Sequence, residues 1–533
     1  MSLSYQINIR ADSGCRPWSD LAPVLEYILP VKFVFSRQAP VLAVGEIIPE
    51  LVGPELEVTD APKAISTLSV SSAGNKPEAN SLCDFTVQFA DDDNVPFPFR
   101  GRSLQTKIAQ LPEILSPGGN ERVLASCPEG PVWTATIANG VKCFRSAFAI
   151  PSIPKDGNLH DIFRAAHFLE MLPVFDFIQR ICAPSLFEGP SSRACFIFDD
   201  PNLHWPRYGS VDFKEIAANA AKHNYHVSFA TIPLDGWFIH QPTAEIFRRN
   251  AGRLSLAVHG NNHTRWELAQ DVSKPTRISL LNQAIHRIEH LEHKAGLRVS
   301  RAMVPPHGAC SEAMLADLPG CGFEVATISH GSLRAHNPGC SWIKTLGYLP
   351  LELIQGCPVL PRWGLTGDLE NTILLAAYLK QPIILRGHQE DLKNGIELLN
   401  RLAQFINSLA PTHWGGIEDL SRSIFQWRLN GGVFYLKPLG RKMDVQLPEE
   451  CQQLMIENVN GSAWDRWTMR TADGTTFEVR SGELVSLGKI NNKIIQIEAP
   501  VTLSVPQQNG TYRTTMRTVV RRVLTEARDR FFR

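Results

Sequence analysis

The sequence predicts an α/β protein whose central part is a closed or nearly closed barrel, flanked by an N-terminal unit and a C-terminal antiparallel sandwich. Three observations predict it. From Ala194 onward, short apolar runs alternate with helical patterns roughly seven times, and repeated βα units of this length imply a parallel sheet. After about Leu420 the period switches to the apolar–polar alternation of short strands, with turn signals at Asn460-Gly461 and Asp473-Gly474. The chain is 533 residues long, 44% apolar and 20% charged, which suits several ordinary globular units and excludes a disordered or fibrous chain.

The elements follow in order. Residues 1–155 read as an accessory α/β or β-rich domain, with strands at 31–36, 41–44, 85–89 and 122–125 and a Ser-, Pro-, Ala- and Gly-rich loop at 60–80. Residues 161–184 have helical periodicity, and 187–192 form a loop. The barrel occupies 156–425. Its strands are expected at 195–198, 226–231, 254–258, 302–304, 324–328, 358–361 and 382–385. Its helices are expected at 211–224, 243–249, 276–295 and 394–409, with Ile278, Leu281, Ile285, Ile288 and Leu291 on one face of the third. The sandwich covers 426–510. Residues 511–533 form a basic helix, read either as a docked or solvated element or as a contact for an anionic partner.

Composition narrows the function. Lys+Arg and Asp+Glu are both 53, so no global field gathers nucleic acid. No apolar run reaches the ~18 residues of a membrane span. The opening MSLSYQINIRADSG lacks a secretory leader, and the 11 cysteines are scattered without a CxxC. The expectation is therefore a cytoplasmic protein with reduced thiols. GxSxG, Walker and GxGxxG motifs are absent, which argues against serine hydrolases, NTPases and dinucleotide enzymes.

Chemistry concentrates at the ends of the barrel strands, where active sites of parallel barrels sit. Asp199 and Asp200 follow the strand at 195–198 in FIFDDPNLHW. Adjacent carboxylates repel unless a cation or proton relieves them, so one suits a metal and the other proton transfer, although Asp-Asp also makes a common turn or cap. His259 and His263 follow the strand at 254–258 as an H-x-x-x-H. Two imidazoles and one carboxylate form a three-ligand set that leaves positions open for water and substrate. Pro305, Pro306, His307 and Gly308 make a stiff loop after the strand at 302–304. His388 follows the strand at 382–385 and could serve as a general acid, with Arg386 beside it to orient a carboxylate. Between these motifs, His204, Trp205, Asp235 and Trp237 are candidate substrate contacts, since a Trp face stacks on a sugar ring as readily as it fills a core.

In this order, the four motifs resemble the polysaccharide deacetylases, the carbohydrate esterases of family four. The resemblance covers roughly residues 190–425. It implies a distorted (β/α)7 barrel and one divalent metal ion, zinc first. It also implies Asp199 as general base, Asp200, His259 and His263 as metal ligands, and His388 as general acid, with Pro306 and His307 beside the substrate. The substrate implied is an acylated sugar or glycan. The chain departs from the family in four places. Pro201 replaces the glycine after Asp-Asp, and Val304 stands where an arginine partners the base, with Arg301 or Arg386 as substitutes. His307 replaces an aromatic, and one extra residue separates Leu385 from His388. Two other readings remain at this stage: an amidase acting on a non-sugar C–N bond, and a degenerate barrel that only binds carbohydrate.

Overall fold

The computed structural model describes residues 5–10, 16–36, 45–48, 66–71, 83–108, 111–138, 140–150, 157–163, 168–183, 186–366, 369–458, 464–487, 494–501, 512 and 514–531. The chain divides into two compact units. One comprises Met1–Leu186, Ser341–Tyr348 and Asp368–Leu379; the other comprises Phe187–Cys340, Leu349–Gly367 and Lys380–Arg533.

The first unit is built on a nine-stranded sheet. Tyr5–Arg10, Val31–Ser36, Gly45–Ile48, Ser66–Ser71 and Val141–Ala149 pair in parallel. The pairings among Val141–Ala149, Gly130–Ala138, Arg122–Cys127, Cys83–Phe89 and Ser103–Ile108 are antiparallel. Three expected strands lie in this sheet, while that at 41–44 falls outside the described residues. Ser66–Ser71 corrects the expected loop at 60–80. Its serine-rich composition reads as loop, yet Leu68 and Val70 are buried between two parallel neighbours, and burial decides over composition. The helix expected at 161–184 is two helices, Leu159–Ile162 and Phe168–Cys182, the second buried on nearly every face.

The second unit carries the strand-end motifs. Its main sheet runs in the order Glu352–Ile354, Cys357–Leu360, Val325–Thr327, Val299–Met303, Leu254–Val258, Val227–Thr231, Arg193–Asp199, Ile383–Gly387 and Trp363–Gly364, with His413–Trp414 beside Arg193–Asp199. All pairings are parallel except that of Glu352–Ile354 with Cys357–Leu360. The hydrogen-bonded path does not join its ends among the described residues, so the sheet is a curled, open half-barrel rather than a closed ring. Its concave face explains the curl. Cys195, Ile197, Ala230, Ala257, Ala302, Val325, Leu360 and Ile384, from strands at both ends of the path, share one core with Ile417 and Leu420 of the helix Ile417–Arg422. Small residues on the central strands leave room for that helix to plug the interior.

Helices connect the strands as the periodicity predicts. Phe213–His223 is capped by Asp212, whose carboxylate accepts from the N–H of Lys214 and Glu215. Lys274–Ala295 buries Leu281, Ile288 and Leu291 and ends on Gly296 in the left-handed region. Toward the C-terminus, two four-stranded sheets share one core that includes Phe434, Leu436, Met443, Val445, Trp467, Met469 and Ile495. One pairing there, Val433–Pro438 with Gln453–Ile456, is parallel, so the expected all-antiparallel pattern does not hold. Met516–Phe531 is the terminal helix.

No helix among the described residues is long and apolar enough to cross a membrane. No disulfide joins any of the ten described cysteines.

Candidate metal centre and active site

The strand Arg193–Asp199 is buried along almost its whole length and delivers Asp199 at its C-terminal end. Successive strand residues point to opposite faces, so two adjacent aspartates would ordinarily diverge. Here Asp200 takes φ 86°, a left-handed conformation uncommon for a non-glycine residue, which aims its carboxylate separately from that of Asp199. The two carboxylates thus acquire different surroundings.

Asp200 meets the two histidines. Nε2 of His263 lies 3.1 Å and Nε2 of His259 lies 3.6 Å from Asp200 Oδ1. His259 Nδ1 donates to the Val304 carbonyl at 2.8 Å, so its proton sits on Nδ1 and its Nε2 lone pair is left for the site. The ligating atoms of Asp200, His259 and His263 lie within 4.8 Å of one another. Asp200 Oδ1 is buried without a properly directed hydrogen-bond partner. Lone pairs converging on a buried carboxylate oxygen fit a cation, and the backbone-anchored imidazole is the usual support for a metal ligand. Burial pushes the Asp200 carboxyl upward, but the two imidazoles outweigh it and hold the group well below the ordinary carboxylate value.

The H-x-x-x-H loop is held by Glu267, which sequence reading missed. This carboxylate is 1% exposed, and it accepts from the backbone N–H of Asn261 at 2.7 Å, Asn262 at 3.0 Å and His263 at 3.1 Å. Its position four residues after His263, within AVHGNNHTRWEL, is the signal that was present in the sequence. Gly260 is required here: it has φ 64°, and an added Cβ would lie 2.2 Å from Glu267 Oε1 and 2.6 Å from Pro306.

Asp199 faces a different partner. Arg362 Nη1 donates to Oδ1 at 3.1 Å and Oδ2 at 3.2 Å, and its Nη2 reaches the Pro305 carbonyl at 3.4 Å. Arg386 Nη1 stands 3.9 Å from Asp199 Oδ2. Arg362 is therefore the guanidinium that pairs with Asp199, while Val304 is buried in the core. Arg301 does not: its guanidinium is bound to Glu292 at 2.8–2.9 Å. Arg362 follows the strand Cys357–Leu360, so the strand-end rule that singled out the other motifs applied to it as well. Burial pushes the Asp199 carboxyl up, and the charges of Arg362, His259, His388 and Arg386 more than reverse this, leaving it below its ordinary value.

His388 directly follows the strand Ile383–Gly387, so the extra residue after Leu385 lengthens the strand and leaves the histidine at its end. Its backbone N–H donates to Asp391 Oδ2 at 2.8 Å. Gly387 permits this approach, since a Cβ there would lie 2.6 Å from Leu365 and 3.0 Å from Phe198. Pro306 is buried, while His307 is exposed at φ 58° with its ring centre 5.0 Å from that of His263. Partial loss of hydration within the site and the neighbouring histidines lower its pKa.

The remaining expected contacts are placed otherwise. His204 is buried, its Nδ1 2.9 Å from Glu526 Oε1 and its Nε2 2.8 Å from the Asp235 carbonyl. The Asp235 carboxylate is buried against the Arg522 guanidinium, with contacts of 2.7–3.1 Å. Both side chains thus hold the terminal helix. Trp205 and Trp237 are 55% and 64% exposed, available for stacking.

No family model matches the chain, and no curated protein matches it in sequence. Solved structures do. Agd3, a novel carbohydrate deacetylase, aligns over 94% of this chain and 99% of its own, with a TM-score of 0.50 and 10% identity. The chain shares its fold with this carbohydrate deacetylase. A family 4 carbohydrate esterase from Streptomyces lividans aligns over 44% of this chain and 94% of its own, at 11% identity and a TM-score of 0.27. BA3943, a CE4 family pseudoenzyme from Bacillus anthracis, aligns over 43% of this chain and 65% of its own, at 10% identity and a TM-score of 0.27. At these identities the likeness is one of fold, and the chemistry rests on the residues of this chain.

Proposed function

We propose that this deacetylase-like chain is a metal-dependent hydrolase that removes an acyl group from the nitrogen or oxygen of a carbohydrate. The observation that carries the proposal is the convergence of Asp200, His259 and His263 within 4.8 Å beside a separately partnered Asp199. Asp200, His259 and His263 would hold the metal, and zinc suits this donor set. A divalent ion at that position supplies Lewis-acid polarisation and a more acidic water.

The chain's own groups account for the proton traffic. Asp199, kept ionised by its surroundings, takes a proton from the attacking water as that water adds to the acyl carbon. Arg362 fixes the carboxylate in place and, with Arg386, balances its charge. His388 gives a proton to the leaving nitrogen as the C–N bond breaks, releasing a free amine and a carboxylate. Trp205 and Trp237 offer exposed faces for sugar rings. Arg362 also supports an enzymatic reading over a degenerate one, because the base retains a cationic partner from a different loop.

The test pairs metal analysis with turnover. The purified protein should carry about one divalent ion, and the Asp200→Ala/His263→Ala double variant close to none. Acetate should be released from acetylated sugar oligomers, while cyclic amides should not be ring-opened and formamides should yield no formate. Equal metal content in the two proteins refutes the centre, and hydrolysis of the amides alone moves the substrate to the non-sugar class.

A further inference from the structure

The helix Met516–Phe531 is docked by its polar residues. Arg522 is buried against Asp235, and Glu526 meets His204. Thr518, Arg522 and Thr525 line a cavity of about 250 Å³ together with His263 and His307 of the motif loops. The residues before the helix are also tied down: Gln283 donates to the Tyr512 carbonyl at 2.7 Å and Arg287 to Thr514 Oγ1 at 2.7 Å. This inverts the ordinary amphipathic helix, which turns its apolar residues inward.

The apolar residues are left outside. Met516, Val520, Val523 and Leu524 are each half exposed or more. Their spacing of i, i+4, i+7 and i+8 gathers them into one stripe about 100° wide. Arg517 and Arg521 are exposed and fall along one edge of that stripe, on the side toward the cavity-lining positions. Every exposed residue described on the helix is apolar or an arginine, and Glu526 is turned inward. An apolar stripe edged with guanidinium groups matches the boundary of a bilayer, where acyl chains lie beneath anionic headgroups. A second copy of the stripe brings those arginines no carboxylate from the described residues of its own exposed face.

We propose that the terminal helix docks the protein on an anionic lipid surface, with its apolar stripe in the acyl boundary and Arg517 and Arg521 on the headgroup phosphates. The helix then has two working sides. One rests on the membrane, and the other walls the cavity that His263 lines, which puts the candidate centre within reach of glycans held at that surface. The docking itself does not rest on the hydrolase reading, because vesicle binding is measured without turnover.

Vesicle co-sedimentation of the full-length protein tests the docking. The probes are vesicles of phosphatidylcholine alone and of an equal mixture with phosphatidylglycerol. The protein should bind the mixed vesicles about tenfold or more tightly than the neutral ones, and salt should erode the difference. Val520→Ser/Leu524→Ser should weaken binding to the mixed vesicles about tenfold or more. Arg517→Gln/Arg521→Gln should bring the two vesicle types to near parity. Phe477→Ser, at an exposed position of the C-terminal sheets, should bind as the wild type does. No binding to the mixed vesicles, or equal binding to both types, overturns the proposal. So do wild-type binding by Val520→Ser/Leu524→Ser, a preference that survives the arginine substitutions, and a like loss in Phe477→Ser. Analytical ultracentrifugation without lipid addresses the other occupant. The two serine substitutions should leave the oligomeric state unchanged; a dimer that they dissociate assigns the stripe to a second copy and overturns the lipid reading.

Discussion

Arg362 donates from Nη1 to both carboxylate oxygens of Asp199, at 3.1 and 3.2 Å, with both side chains buried. The pair joins the end of one strand to a loop 163 residues later and reaches the proline loop through the Pro305 carbonyl. It separates the two adjacent aspartates chemically. Asp199 answers to arginine and Asp200 to imidazole, so one can be a base while the other is a ligand.

Arg362→Met should lower kcat about 100-fold at neutral pH and move the acid limb of kcat/KM to higher pH. Without the guanidinium, burial is the larger influence and the Asp199 carboxyl rises. The stability effect has a definite sign. A lowered native carboxyl stabilises the fold above the unfolded value, near 3.8, and that contribution is lost as pH falls through the native value. Urea titrations across pH should show this acid-side loss in the wild type. In Arg362→Met the loss should be smaller, and stability at pH 7 should fall by about 3–5 kcal/mol. Arg362→Lys should recover part of both. An unmoved acid limb in Arg362→Met would remove Asp199 as the base.

Glu267→Gln should weaken metal binding at least tenfold while leaving the three ligands in the sequence. The glutamine keeps one acceptor oxygen, but its NH₂ must face a backbone N–H that Glu267 now accepts, such as that of Asn262. The loop carrying His259 and His263 then loses its fixed shape. Competition with a chromogenic chelator measures the affinity directly. Unchanged affinity would show that the loop holds its form without this carboxylate.

The difference between Glu267 and the histidines shows what the sequence could reveal. His259, His263, Asp199, Asp200 and His388 were legible because each follows an apolar strand, and strand ends of a parallel sheet converge. Arg362 obeys the same rule but stands in no recurring motif, and its partner is distant in the chain. The curl of the main sheet was readable from repeated βα units, while its failure to close depends on pairings that no local pattern encodes. The helix Leu369–Tyr378 went unread because LLAA is apolar on every side and carries no helical period. The terminal helix was readable as a helix, but its docked face was not. Met516, Val520, Val523 and Leu524 are exposed, and the buried contacts are made by Arg522 with Asp235 and Glu526 with His204, the reverse of an ordinary amphipathic helix.

That polar docking makes the terminal helix sensitive to a single charge. Asp235→Asn leaves the buried Arg522 guanidinium without its counter-charge, at a cost of about 3–5 kcal/mol. The helix should detach before the half-barrel unfolds, because its outward face contributes little packing. Hydrogen exchange should show residues 516–531 losing protection in Asp235→Asn while the strand Arg193–Asp199 keeps it. Uniform loss across both segments would mean that Asp235 supports the core and not the helix alone.

His388 is testable through the leaving group. A departing sugar amine needs a proton, whereas 4-nitrophenolate leaves without one. If His388 supplies that proton, His388→Gln should reduce acetate release from an N-acetylated sugar oligomer by about 10²–10⁴-fold. Release from 4-nitrophenyl acetate should fall by less than about tenfold, since water attack through Asp199 is untouched. The comparison separates proton donation from positioning. The backbone N–H of His388 keeps its bond to Asp391 in the variant, so if the ring only shaped the loop by its packing, both substrates would suffer alike. Equal losses would therefore assign His388 to the scaffold and leave the leaving group to be protonated by another residue, with exposed His307, beside His263, the next to substitute.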